Sequence, residues 1–136
     1  MRLSLKYQPT PENAPKLASL IVQSALDVSN VVLDYSPRSL KDVDEVIEGF
    51  RQEGIALEDI ASTLFCFGCY VGEIFVRNAD AEWKNAADTP MRKVTNTPIL
   101  IALPNANVTN PIGKVFKRFE NGQGDNLEYF YQVFTK

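Results

Sequence analysis

At 136 residues, with 45 % apolar and 23 % charged side chains, the chain has the make-up of one folded domain and not of a disordered or fibrous segment. The net charge is −3, and the absence of histidine removes every His-based triad and the commonest general base near neutral pH. The two cysteines fall two ligands short of a zinc site, and no other residue set points to a cofactor.

Leu3, Leu5 and Tyr7 alternate with Arg2, Ser4 and Lys6, the period of a short half-buried strand ended by Pro9. That alternation lacks the continuous apolar region of a signal peptide. The longest apolar run reads as too short and too interrupted by Gly and Glu to span a bilayer. The expected location is therefore the cytoplasm, with no membrane contact.

Either Thr10 or Asn13 can cap a first helix over about 14–28, with Leu17, Leu20, Ile21, Ser24, Ala25 and Val28 at helical spacing. Ser36 followed by Pro37 marks a second start: the serine accepts a free backbone N–H, and proline at the first helical position gives up nothing. Leu40, Val43, Ile47 and Phe50 form that helix's buried stripe, and Gly54 ends it. Its other face is acidic. Residues 41–59 hold Lys41 and Arg51 against Asp42, Asp44, Glu45, Glu48, Glu53, Glu58 and Asp59, a net charge of −5. Such a face repels nucleic acid and attracts a basic protein; Asp42, Asp44, Glu45, Glu48 and Glu53 are the candidate protein-binding residues, and a plainly solvated surface is the alternative.

The third helix starts near Leu57 and can reach Asn78. It is apolar almost all round, which places it at the centre of the fold. Glu73 sits inside it, so its carboxylate must be paired, hydrogen-bonded or neutralised. Arg77, one turn on, is one partner; backbone N–H groups at a helix start such as that after Asn110 are another. A structural lock is the expected role of Glu73, a catalytic or ligand-binding carboxylate the alternative. Cys66 and Cys69 lie well inside this helix, beside Phe65 and Phe67, and read as inert core residues. Gly68 and Gly72 bare one side of it, which permits close approach of another helix or, equally, a kink.

Residues 79–97 read as turns with Trp83 as an isolated anchor and a possible strand at Met91–Thr95. Ile99–Leu103, between Pro98 and Pro104, is a better strand, and 105–109 a loop. The last 27 residues admit a hairpin at Asn121–Gly122, but the apolar spacing favours two helices. The first starts with Asn110 as cap and Pro111, and the second with an Asp125–Glu128 capping box. Lys114, Lys117 and Arg118 then form a solvated helix face, with phosphate binding as the weaker alternative. Part of Tyr129, Phe130 and Tyr131 can be an exposed aromatic patch.

Three pieces together carry a resemblance: Leu33-Asp34-Tyr35-Ser36-Pro37-Arg38-Ser39-Leu40, Gly68-Cys69-Tyr70-Val71-Gly72-Glu73, and Asn110 to Phe119 followed by Asn121-Gly122. They resemble a group of small, largely uncharacterised bacterial domains, some of which look like immunity proteins encoded beside antibacterial toxins. The resemblance covers roughly residues 30–134 and maps Tyr35, Gly68, Gly72, Glu73 and Pro111 onto recurring architectural positions; it brings no catalytic role.

The expectation is one α+β domain, a bundle of about five helices on a sheet of two to four strands. Functionally it is a stoichiometric protein-binding domain of the immunity type, whose acidic face occludes a partner, a basic toxin by resemblance. The alternatives are a ligand-binding site or small enzyme with Glu73 at a pocket wall beside Tyr70 or Tyr35, and a subunit docking through its terminal aromatics. Oligomeric state is left open.

Overall fold

Apolar residues packed around one helix set the architecture of the computed structural model, which describes residues 3–136. The helix is α3, Leu57–Ala79, and every residue from Leu64 to Phe75 is buried. By length and composition it is able to cross a bilayer, contrary to the sequence expectation, because its glycines and Glu73 interrupt its hydropathy too little. Within the fold the partners that cover it are α1 (Ala14–Ser29), α4 (Pro111–Asn121) and β1 (Glu82–Asn85). Helices α2 (Leu40–Gln52) and α5 (Leu127–Phe134) pack on each other and on α4. The five helices pack against a small three-stranded antiparallel sheet in the order β1-β2-β3, with β2 at Ile99–Ala102 and β3 at Val108–Thr109.

The helix starts follow the local chemistry. Ser36 accepts from the N–H of Ser39 and caps a short 3-10 turn, Pro37–Ser39, that runs into α2. Asn110 accepts from the N–H of Gly113 at 2.8 Å, with Pro111 in the first turn of α4. At α1, Asn13 occupies the cap position while the Thr10 hydroxyl accepts the hydrogen bond. The last 27 residues are two helices, but Asn126, not Asp125, caps α5, by accepting from Tyr129 N–H at 2.8 Å. Asp125 is drawn away by Lys114, 2.8 Å distant.

Gly68 and Gly72 are places of close approach, and α3 runs unbroken through both. A Cβ on Gly68 would lie 2.5 Å from the Cα of Ile112, and one on Gly72 would overlap the Trp83 ring. Buried Pro111 stands 3.2 Å from the same Gly72 position, so the first turn of α4 rests directly on the bare side of α3.

The strand expectations need correction. Leu3–Tyr7 is irregular chain without a strand partner, tied to α3 by Ser4 N–H donating to the Ser62 hydroxyl at 2.7 Å; Arg2 lies outside the described residues. Met91–Thr95 is turn. The sheet instead recruits Glu82–Asn85, where Trp83 faces Ile101 across the ladder, and the expected loop residues Val108 and Thr109. These strands have too few apolar residues to show a period; their partner β2, buried at Ile99, Leu100 and Ile101, selects them. Val28 also departs from the α1 stripe and is exposed, because Asn30 takes a left-handed backbone and ends the helix there.

Candidate functional site

Glu73 is 3 % exposed and bonded at both oxygens. Arg77 Nε donates to Oε1 at 3.4 Å, and the indole N–H of Trp83 donates to Oε2 at 2.9 Å. Arg77 is the partner that the spacing predicts. The start of α4 is not: its Gly113 N–H goes to Asn110, and the two donors on Glu73 come from Arg77 and Trp83. Trp83 reaches Glu73 because its ring lies over the neighbouring Gly72. The carboxylate thus ties α3 to β1, the reverse of the exposed wall position that a Glu73-centred ligand site requires.

Next to this lock is a second one. Tyr35 carries a left-handed backbone, φ +64°, which costs a non-glycine residue about 1–2 kcal/mol. Both of its backbone groups are held: its N–H donates to Tyr70 Oη at 2.9 Å, and its C=O accepts from Asn78 Nδ2 at 2.9 Å. The Ser39 hydroxyl donates to the Ser36 C=O, so the Tyr70 hydroxyl must donate to Ser39 Oγ, 2.7 Å away. Burial pushes the Tyr70 and Tyr35 hydroxyls above the ordinary tyrosine range. The Tyr35 ring packs on that of Tyr70 at 4.9 Å, and the Arg77 guanidinium lies 3.5 Å from the Tyr35 ring centre.

The cysteines are core residues. Burial raises the Cys66 thiol to about 11 and Cys69 further, so neither is a ready nucleophile at neutral pH.

The acidic face divides in two. Asp44 is buried and leaves the candidate binding set. Its Oδ1 accepts from Arg118 Nε at 3.0 Å and from the Leu127 N–H at 3.0 Å, and its Oδ2 from the Glu128 N–H at 3.4 Å. Arg118, expected on a solvated face, is 0 % exposed, and it also reaches Glu48 at 2.7 Å. Glu48 keeps one oxygen for Arg51 and Gln52, and Arg118 leads the contacts that hold its carboxyl down at about 2. Asp42, Glu45, Glu53, Glu58 and Asp59 form no ion pair among the described residues, and all but half-buried Asp42 are exposed.

Of the terminal aromatics, Phe130 is buried against Phe75, while Tyr129 is 67 % exposed and Val133, one turn on, is also open. A depression of about 550 Å³ lies between loop 91–97, β3 and α4, with Lys117 on its rim; Lys114 there is engaged by Asp125. Asp44, Arg118 and Trp83 are the residues that sequence reasoning misplaced. Arg118 could have been found: it falls three after Val115, inside the apolar stripe of α4. Trp83 gives no such signal, because it comes from a strand too short to read.

No family model, curated protein or solved structure matches this chain.

Proposed function

We propose that this chain is a protein-binding domain of the immunity type, acting in the cytoplasm, which meets a basic protein through the acidic residues of α2 and the start of α3. The observation that carries this reading is the division of the acids. Asp44 and Glu48 are engaged by Arg118, while Asp42, Glu45, Glu53, Glu58 and Asp59 remain without an ion pair among the described residues. Acids with no internal partner raise the local negative potential and steer a cationic partner, chiefly by speeding encounter. The resemblance of the Tyr35, Gly68–Glu73 and Asn110–Phe119 segments to immunity-like domains supplies the partner class, a toxin encoded beside this gene.

The test is association kinetics with the purified product of the adjacent gene. Complex formation with loss of toxin activity is the expected result, with an association rate that falls as salt rises. Glu45→Lys with Glu53→Lys should slow association several-fold at low salt while leaving the fold intact. A complex whose rate ignores both changes removes the acidic face from the reading. No complex, and a toxin still active at stoichiometric excess of this protein, removes the immunity function itself.

A further inference from the structure

We infer that Arg77 is a preset anchor for a carboxylate of a partner protein, an Asp or Glu side chain presented to the outer edge of its guanidinium. Three features of the site converge on this. The inner edge of the group is committed, with Nε donating to Glu73. One face is covered by the Tyr35 ring at 3.5 Å. The two Nη nitrogens make no hydrogen bond among the described residues, and the side chain is 47 % exposed. A planar fork with its plane and one edge fixed, and its other edge open to solvent, is the geometry that a carboxylate meets with two parallel hydrogen bonds.

The support behind Arg77 is more than the ion pair needs. Tyr35 is kept in a strained backbone by hydrogen bonds at both its N–H and its C=O, and this sets its ring against the guanidinium. Glu73 is fixed by Trp83 independently of Arg77. Both supports are therefore in place before any ligand arrives, and the rotamer freedom of a long side chain is already partly lost. The ligand class follows from the open edge. Two free Nη nitrogens side by side match the two oxygens of a carboxylate, and because Glu73 already offsets the charge of this guanidinium, a monoanion leaves less uncompensated charge than a phosphate dianion. The source follows from the surroundings, since Arg, Tyr and Trp together are the residue types that dominate protein interfaces energetically. This anchor does not depend on the acidic face of α2.

The experiment follows the Arg77 Nε–Hε resonance in the isotope-labelled full chain while N-acetylglutamate amide is added at constant ionic strength. N-acetylglutamine amide is the uncharged control. Arg38 and Arg92, exposed and without an ion pair among the described residues, are internal references. Arg77 should bind the glutamate compound at least about threefold more tightly than either reference, the size expected of a long side chain whose rotamer freedom is already partly lost, with no response to the glutamine compound. Tyr35→Asn, which keeps a residue tolerant of left-handed backbone, should bring Arg77 to the level of the references. A wild-type response no stronger than Arg38 or Arg92, or equal for both compounds, overturns the inference whether or not the variant folds. Tighter binding of inorganic phosphate overturns the ligand class. A folded Tyr35→Asn protein with undiminished binding overturns the role of the stack.

Discussion

Arg118 on α4 and Asp44 on α2 are 74 residues apart and meet in the interior at 3.0 Å, where the same carboxylate also accepts the first N–H groups of α5. One acid therefore joins three helices. It serves as a charge partner for α4 and as a cap for α5, whose open N–H groups favour an anion. A buried pair of this kind is weak evidence of net stabilisation, since its desolvation offsets much of its attraction, but losing one member leaves the other charge stranded.

Arg118→Met should accordingly destabilise the protein by about 3–5 kcal/mol. Asp44→Asn should cost less, because the amide oxygen still accepts from Leu127 or Glu128. Urea unfolding of both single variants and the double variant gives the coupling. A double variant no worse than Arg118→Met alone is the expected outcome, and strict additivity would show that the two residues do not act as a pair.

The neighbouring Glu48 makes stability depend on acid. Its carboxyl is held at about 2 in the folded protein, against an ordinary 4.5, first by Arg118 and then by Gln52. A depressed carboxylate contributes stability that is fully present above pH 4.5 and is lost as pH falls toward 2. Glu48→Gln should flatten the stability profile across that window and leave it unchanged in slope above pH 6. Asp34 and Asp125 are also held low, by Ser36 and by Lys114, so part of the acid sensitivity should remain. Thermal unfolding at half-unit pH steps measures this; parallel profiles for the two proteins would disprove it.

The glycines give a matched pair of opposite sign. Gly68→Ala adds a methyl 2.5 Å from the Ile112 backbone, which can be accommodated only by moving α4. Overpacking of that kind costs about 1–3 kcal/mol, more than the gain of up to about 1 kcal/mol in helix propensity. Gly49, in α2, has nothing within 4 Å of an added Cβ, so Gly49→Ala should stabilise by about 0.5–1 kcal/mol. Denaturation midpoints of the two variants should move in opposite directions.

What the sequence makes legible is what a single helix encodes in itself. The apolar stripe of α2, the proline-marked starts of α2 and α4, and the bare side of α3 at Gly68 and Gly72 are local patterns, and each appears where the spacing places it. Glu73 could be read as enclosed because a carboxylate in an all-apolar helix has few other outcomes. Long-range choices were not legible. Nothing local says that Val108 and Thr109 would pair with Ile101 and Ala102, or that Leu3–Tyr7, with better alternation, would have no strand to join. The same limit hid the inward turn of Asp44: an acid beside a stripe looks solvated until a buried arginine from a distant helix is known to face it.

Trp83→Phe removes the part of the Glu73 lock that came from such a distant element. Phenylalanine has no N–H, so Glu73 Oε2 loses its 2.9 Å donor, and it lacks the outer ring atoms Cζ2 and Cη2 that lie over Gly72, so that contact is lost as well. An unsatisfied buried acceptor costs about 1–3 kcal/mol. Glu73→Gln should cost less, because its side-chain oxygen still accepts from the indole and the bond lost to half-exposed Arg77 is long, at 3.4 Å. Combining the two changes should recover nothing, since the amide oxygen would be left without its donor. Circular dichroism is the suitable readout, as Trp83 is the only tryptophan. A Glu73→Gln protein less stable than Trp83→Phe would mean that Arg77, not Trp83, is the principal partner of this carboxylate.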